Sequence, residues 1–252
     1  MIRVGLALHF KMLSRSPFDI WIVLASPIIF STLAYFLFKG GHSGSKLLVL
    51  AIASAVMGIW SSATASGAGA LQRQRRLGVL ELLVASPVPF WSVLLPITVA
   101  ISAIGIYSLA TGLVYVRVLF GVAITLHDWL AFVVAVPATI VAIGMLGFLF
   151  SSALVRFRSA FMLGNLFEWP VWTICGLLIP VAVLPGWVTP LSWLFAPTWG
   201  MAALRGATLG TGSPWRDIGM CAALSVAYGF LGSAFLRVFL HSARVNATLS
   251  LT

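Results

Sequence analysis

One acidic residue, Glu168, lies deep inside an apolar segment, in the stretch NLFEWPVW. A carboxylate in hydrocarbon is costly unless it is protonated, paired or faces a cavity, so such a group is a candidate functional site. We add Asn165 and Trp172, close to it in sequence, as candidates for lining a substrate pathway. The structural alternative is a hydrogen bond or salt link that fixes helix packing, with Arg156 or Arg158 as the partner.

Other groups in the sequence predict no catalytic chemistry. The histidines are scattered without metal-ligand spacing, at His9, His42, His127 and His241. His127 and Asp128 form a dyad without a paired nucleophile. The stretch GHSGSKL at 41–47 is not a phosphate-binding loop, because Ser45 stands where a glycine must precede the lysine. We therefore expect no metal, no cofactor and no ATP hydrolysis on this chain.

The composition of the chain limits the class of protein in which Glu168 could be positioned. Apolar residues make up 61% of the 252 residues and charged residues 8%, whereas a soluble domain carries about 25% charged residues. Mean hydropathy is +1.08, which leaves too little polar surface for a water-soluble particle and excludes disorder. Cys175 and Cys221 both lie in apolar runs and are expected to be small core residues.

The hydropathy pattern predicts an all-α integral membrane protein with six transmembrane helices. A span needs about 20 mostly apolar residues. Six stretches meet this length, at residues 20–38, 47–70, 90–116, 129–154, 161–184 and 218–240. Arg117 is expected to end the third span, although the apolar run continues to Leu126.

The basic residues predict the orientation of these spans. With the N-terminus in the cytoplasm, ten Lys and Arg residues lie inside and five outside, as the positive-inside rule requires. Both termini are then cytoplasmic, and the net charge of +10 is explained by topology and contact with anionic lipid, without nucleic acid. The low acid count and the cytoplasmic arginine bias suit a bacterial plasma membrane.

Two segments on the cytoplasmic side are predicted to be helices that lie along the membrane. Residues 1–16 place apolar residues on one stripe and basic residues on the other, which is typical of an interfacial helix. A solvated lead-in to the first span is the alternative. Residues 72–86, within QRQRRLGVLELLVASPVPF, have helical spacing that ends at Ser86-Pro87. An ordinary basic turn is the alternative there.

A third segment, residues 185–212, is too apolar for a free external loop. Pro185, Pro190 and Pro197 exclude one continuous helix. Short re-entrant helices that end near Gly206 fit best, because irregular backbone at membrane depth is tolerated only against protein or water. Tryptophans in this segment are expected at the outer interface.

Three stretches resemble the membrane subunit of ABC-2 type transporters, the permease class that includes daunorubicin-resistance-like drug exporters. They are the start, LSRSPFDIW followed by ASPIIF, the turn RRLGVLELLVASPVPF, and LPGWVTPLSWLFAPTWGMAALRG before the last span. The resemblance covers nearly the whole chain, as a single transmembrane domain over 1–252. It departs from the family pattern at Gln72 and Gln74, where acidic residues are common, and at Ala196-Pro197-Thr198-Trp199.

The resemblance implies a half-transporter with an elbow helix at 1–16, a coupling helix at 72–86 and external re-entrant helices. It implies two copies of a separate ABC ATPase subunit, which bind ATP and Mg, and a second permease, identical or a sister chain. The residues that would couple to the ATPase are Arg73, Arg75, Arg76, Gly78, Leu80, Glu81, Leu82, Ser86 and Pro87. Those that would form an external gate are Pro185, Trp187, Pro197, Arg205 and Gly206.

The sequence therefore favours ATP-driven export of an amphipathic, drug-like or lipid-like compound from the membrane. Two other hypotheses depend on Glu168. One is an ion-coupled secondary transporter that uses its carboxyl group, and the other is an intramembrane enzyme. The enzyme is the least favoured, because no second catalytic group lies near Glu168 in sequence.

Overall fold

The computed structural model describes residues 25, 27–33, 35–36, 47–61, 91–121, 126–154, 160–177, 181 and 184–246. These residues form helices and a few turns, and the described part of the chain contains no strand. The predicted all-helical class is confirmed. The predicted elbow helix at 1–16 and coupling helix at 72–86 lie outside the described residues.

We number the helices in chain order. Helical residues 27–33, together with 25, 35 and 36, form α1, and Leu47–Ser61 forms α2. The long helices are α3 (Trp91–Phe120), α4 (Trp129–Leu154) and α8 (Pro214–Asn246). Between α4 and α8 lie α5 (Ala160–Ile174) and the shorter helices α6 (Val188–Trp193) and α7 (Ala196–Leu209).

Two of the described helices contain a stretch long and apolar enough to cross a membrane. These stretches are Trp129–Phe150 in α4 and Pro214–Val238 in α8. Shorter apolar helices are Leu47–Ser61 and Gly105–Phe120. The count of six spans stays a prediction.

Two helix ends differ from the sequence prediction. α3 continues through Arg117 to Phe120, so this arginine does not end the helix. α5 ends at Ile174, although the apolar run extends to residue 184. Gly176 has φ 73°, a left-handed conformation that glycine adopts readily, and the N–H of Leu177 donates to the carbonyl of Trp172 at 3.0 Å. This is a common way to end a helix even within an apolar run.

Helices α4, α7 and α8 pack closely because glycines lie where they cross. A Cβ atom at Gly200 of α7 would come within 2.6 Å of Thr139 Oγ1 on α4. A Cβ atom at Gly232 of α8 would come within 2.6 Å of the Phe148 ring, which is fully buried on α4. Small residues at such crossings let helix backbones approach closely.

Helices α1, α2 and α3 form a second packed group that combines glycines with polar contacts. The hydroxyl groups of Ser31 on α1 and Ser54 on α2 are 2.9 Å apart. Thr32 on α1 is bonded in the same way to Tyr115 on α3, at 2.8 Å. α3 and α2 approach closely at Gly105 of α3, since a Cβ atom there would lie 2.7 Å from Ile59 on α2.

The turn before α4 is attached to the end of α7. The N–H groups of His127 and Asp128 both donate to the carbonyl of Ala207, at 3.0 and 2.9 Å. Asp128 Oδ1 accepts from the N–H of Ala131 at 3.0 Å, which is a helix N-cap bond. The His127 ring lies against Gly210, where a Cβ atom would be 2.9 Å from it. The dyad thus caps α4 and packs on α7.

The Gly232 contact leads to a stability prediction. We expect Gly232→Ala to lower the stability of the protein by about 1–3 kcal/mol, because the added methyl group overpacks against Phe148 and the α4 backbone. The measurement is thermal unfolding of the purified protein in detergent. Gly219→Ala is the matched control on the same helix, since a Cβ atom there meets nothing within 4 Å. Equal unfolding temperatures for the two variants would contradict the close approach.

Candidate functional site

The segment at 185–212 contains two helices with a break between them. α6 ends at Trp193, and Phe195 adopts an extended conformation, φ −99° and ψ 116°, just before α7. Pro197 lies in the first turn of α7, where its missing N–H group is tolerated. α7 ends at Leu209 with Gly210 in the left-handed conformation, four residues after Gly206.

The break lies far from the end of the bundle at which α7 finishes. Gly200 faces Thr139 on α4. Thr139 lies ten residues after the first residue of α4, a distance of about 15 Å along the helix. Ala207 meets the turn just before α4 begins. α7 therefore runs antiparallel to α4 and returns to the end where α4 starts. This is the course that a re-entrant helix follows, and its depth in a membrane stays a prediction.

Tyr228 on α8 holds the break in place. Its hydroxyl group donates to the carbonyl of Leu194 and accepts from the N–H of Ala196 at 3.1 Å. One side chain thus pairs two backbone groups that the interruption between α6 and α7 leaves without helical partners. Tyr228 is fourteen residues into α8, about 20 Å along that helix, so the break is deep within the bundle.

Arg205 joins α7 to the end of α5. Its Nη2 donates to the carbonyl of Gly176, and its Nε is buried without a hydrogen-bond partner among the described residues. Burial lowers the pKa of the guanidinium group, yet an arginine keeps its proton in proteins. The side chain therefore places a positive charge at the C-terminal end of α5, where a helix favours cations.

The other predicted gate residues lie along the same segment. Pro185 accepts a backbone hydrogen bond from Val188 at 2.8 Å, and Trp187 at the start of α6 is 72% exposed. Gly206 accepts from the N–H of Gly210, and a Cβ atom at Gly206 would lie 2.8 Å from the Thr211 carbonyl oxygen. The structure thus places Pro185 and Trp187 in the turn before α6, and Gly206 on α7. Their role as a gate stays a prediction.

Glu168 is half-buried on α5 and reaches α2. Ser61 at the end of α2 donates a hydrogen bond to Glu168 Oε1. Glu168 is eight residues before Gly176, the residue whose carbonyl Arg205 contacts. This separation corresponds to about 12 Å along α5. The hydrogen bond is one of the contacts expected for a carboxylate that fixes helix packing, with Ser61 as the donor. Arg156 and Arg158, the partners named from sequence, lie outside the described residues.

The two neighbours predicted with Glu168 have different surroundings. Trp172 is 2% exposed and packs edge-on against Phe30 of α1, with ring centroids 5.2 Å apart. Its ring also lies beside Trp169, at 5.3 Å. Asn165 is a residue of α5 whose side chain lies outside the described part. A role in a substrate pathway stays a prediction for all three residues.

The residues predicted to couple to an ATPase all lie outside the described residues: Arg73, Arg75, Arg76, Gly78, Leu80, Glu81, Leu82, Ser86 and Pro87. Sequence reasoning missed two residues that the structure brings to the site, Ser61 and Tyr228. Both are polar residues within apolar helices, and that polarity is the signal that could have identified them.

Tyr228 leads to a second prediction. We expect Tyr228→Phe to destabilise the protein by about 1–3 kcal/mol, because it leaves the Leu194 carbonyl and the Ala196 N–H without their shared partner. Thermal unfolding in detergent measures this loss. Tyr107→Phe is the control, since Tyr107 on α3 is 57% exposed. If both variants unfold at the wild-type temperature, the hydroxyl group does not hold the break.

Comparison with known proteins identifies the fold that carries these features. The family model of the ABC-2 type transporter matches residues 2–209, which include the predicted coupling segment, Glu168, α6 and α7. No curated protein matches the chain. Since the match spans most of the sequence, the chain belongs to the ABC-2 type transporter family.

Proposed function

We propose that this protein is the permease of an ATP-driven exporter that moves an amphipathic, drug-like or lipid-like compound across a bacterial plasma membrane. Family membership supports an integral membrane protein that is the permease component of an ABC transporter. Permeases of this family work with ABC ATPase partners and often dimerise. The single observation that carries the proposal is the family match over residues 2–209.

In this proposal two ATPase subunits bind ATP and Mg, and a second permease, identical or a sister chain, completes the path. The coupling residues between Arg73 and Pro87 would contact the ATPase from the cytoplasmic side. ATP binding would shift the population between inward-open and outward-open states, because the ATPases bind the coupling segments differently in each. The permease itself would supply only the path and the coupling surface.

The external gate of this exporter would be formed by α6, α7 and the end of α5. Tyr228 fixes the break between α6 and α7 to α8, and Gly200 fixes α7 to α4. α5 is joined to α7 through the hydrogen bond from Arg205 to Gly176. The outer side would open at this contact only as water enters and replaces the Gly176 carbonyl as the acceptor for the buried guanidinium group.

An amphipathic cargo is supported by the apolar character of the described surface. Large apolar side chains are exposed on α5 and α6, among them Leu166, Trp169, Trp193 and Leu194. Such a surface gives hydrophobic contact with limited discrimination between shapes, which suits amphipathic compounds. Which compound is carried then depends on the few polar groups near these side chains.

The test is a coupling experiment in proteoliposomes that contain the permease with its ATPase. We expect Glu81→Ala to lower both permease-stimulated ATP hydrolysis and ATP-dependent transport by about tenfold, the range of a coupling free energy between two sites. The change removes the acidic group of the proposed docking element. Both rates are measured on the same preparation.

Asp217→Ala is the control, because it removes an acidic group from the first turn of α8, outside the proposed docking element. It should leave both rates near the wild-type values. The proposal is wrong if Glu81→Ala changes neither rate. It is also wrong if transport stops when the proton gradient is collapsed with ATP still present, which would indicate the ion-coupled alternative.

A further inference from the structure

Arg205 on α7 is a largely buried positive charge with one donor that is not used. Its Nη2 donates to the Gly176 carbonyl, whereas its Nε is buried without a partner among the described residues. Nε and Nη2 lie on the same edge of the planar guanidinium group, the edge that can hold two oxygen atoms of a carboxylate or phosphate. The Nε donor of this edge is therefore available to a further acceptor.

The acidic residues of the chain do not balance this charge. Asp128 caps the start of α4, Glu168 accepts a hydrogen bond from α2, and neither it nor Asp217 of α8 forms an ion pair with the guanidinium group. The other two acidic residues, Asp19 and Glu81, are on the side predicted to be cytoplasmic. The end of α5 supplies only the partial negative charge of a helix C-terminus. Since buried charges in proteins are paired, the counter-charge comes from outside the chain.

A second polar group lies on the same face of α7. Thr198 is seven residues before Arg205, which is two helical turns, so both residues face the end of α5. The Thr198 hydroxyl lies beside the Cys175 thiol, a weak hydrogen-bond partner, and makes no hydrogen bond of normal geometry. Because buried polar groups nearly always have partners, these two groups on one face indicate that a polar acceptor binds between α5 and α7.

An oxyanion suits these donors better than water does. Water can accept from Nε, but it leaves the positive charge without a counter-charge in apolar surroundings. A carboxylate or phosphate group offers several acceptor oxygens and also carries the missing charge. Hydrogen bonds between such charged groups are about twice as strong as those between neutral groups.

From this arrangement we infer that Arg205 and Thr198 form a binding site for the oxyanion group, a carboxylate or phosphate, of an amphipathic compound. The guanidinium edge of Arg205 binds the oxygen atoms, and the Thr198 hydroxyl donates a further hydrogen bond. The inference rests on the proposed export function. Both a transported compound and an anionic membrane lipid carry such a group, and the experiments below distinguish these two sources.

The test compares two probes with the same alkyl chain, hexadecyl phosphate and hexadecanol. Saturable binding of each radiolabelled probe is measured on the full permease–ATPase complex in phosphatidylcholine nanodiscs, after subtraction of binding to empty nanodiscs. The measurement is made with and without a non-hydrolysable ATP analogue, because access from the outer side depends on nucleotide in the proposed cycle. We expect saturable binding of the phosphate in at least one of the two conditions, and none of the alcohol.

Two variants examine the site. We expect Arg205→Lys to weaken binding of hexadecyl phosphate by about tenfold, since lysine keeps the charge but loses the two-donor edge. We expect Thr198→Val to weaken it by about threefold, since valine keeps the shape but loses one neutral donor. Arg216→Lys and Thr211→Val are the matched controls, because both residues are exposed between α7 and the first turn of α8. Both should bind the phosphate as the wild type does.

Native mass spectrometry identifies the source of the oxyanion. The complex is transferred from nanodiscs that contain both phosphatidylcholine and phosphatidylglycerol, and the lipids that remain bound are counted. If an anionic lipid occupies the site, the wild type retains one phosphatidylglycerol per permease that Arg205→Lys does not retain. If the site serves a transported compound, both proteins retain the same number, and the proposed cargo is narrowed to compounds with an acidic head group.

The inference is overturned if neither probe binds saturably, if the wild type binds both probes equally, or if Arg205→Lys binds the phosphate as the wild type does. Its failure is distinct from failure of the export proposal, because binding is measured without transport. Loss of transport in Glu81→Ala together with equal binding of both probes would leave the exporter and remove the oxyanion site. Arg205-dependent binding without ATP-dependent transport would do the reverse.

Discussion

The structure depends on a requirement that hydrocarbon imposes on any chain within it: each backbone N–H and carbonyl group needs a partner, because no water is available. A continuous helix meets the requirement internally, whereas the break between α6 and α7 does not. Tyr228 on α8 supplies the missing hydrogen-bond partner, although it lies 32 residues after Ala196 in the sequence. The second interruption, where α5 ends, is closed by the left-handed Gly176 and by Arg205. Irregular backbone is thus allowed only where a neighbouring side chain or turn satisfies it.

The helices are held together by two kinds of contact, which respond differently to movement. Glycine crossings join α4 to α7 and α8, and separating them would leave a void whose lining atoms lose their dispersion contacts. α5 is attached by polar contacts, at Ser61–Glu168 and at Arg205–Gly176, together with the ring contact between Trp172 and Phe30. Polar partners can be exchanged for water or ligand when a cavity opens. Val171 and Trp172 of α5 are also buried in the hydrophobic core, so α5 is held by both kinds of contact.

The sequence predicts the helical class, and it predicts interrupted helices at 185–212, since proline and glycine act through local backbone geometry. The break near Phe195 and the end of α7 at Leu209 follow from such local signals. The contacts between residues that are far apart in the sequence do not follow from local signals. Ser61 and Glu168 are 107 residues apart, and their hydrogen bond depends on how α2 and α5 pack, which hydropathy does not encode. The early end of α5 was missed for a related reason, because Gly176 lies within an uninterrupted apolar run.

The length of α8 links this protein to the thickness of the bilayer around it. Between Asp217 and Arg237 this helix has 19 uncharged residues, about 28 Å, which matches the hydrocarbon core of a bilayer, about 30 Å thick. About half of these residues are exposed, so the thickness of the lipid around α8 affects its tilt. Because Tyr228 joins α8 to the break between α6 and α7, a change in the tilt of α8 is transmitted to that break. Acyl-chain length is thereby an input to the geometry of this break.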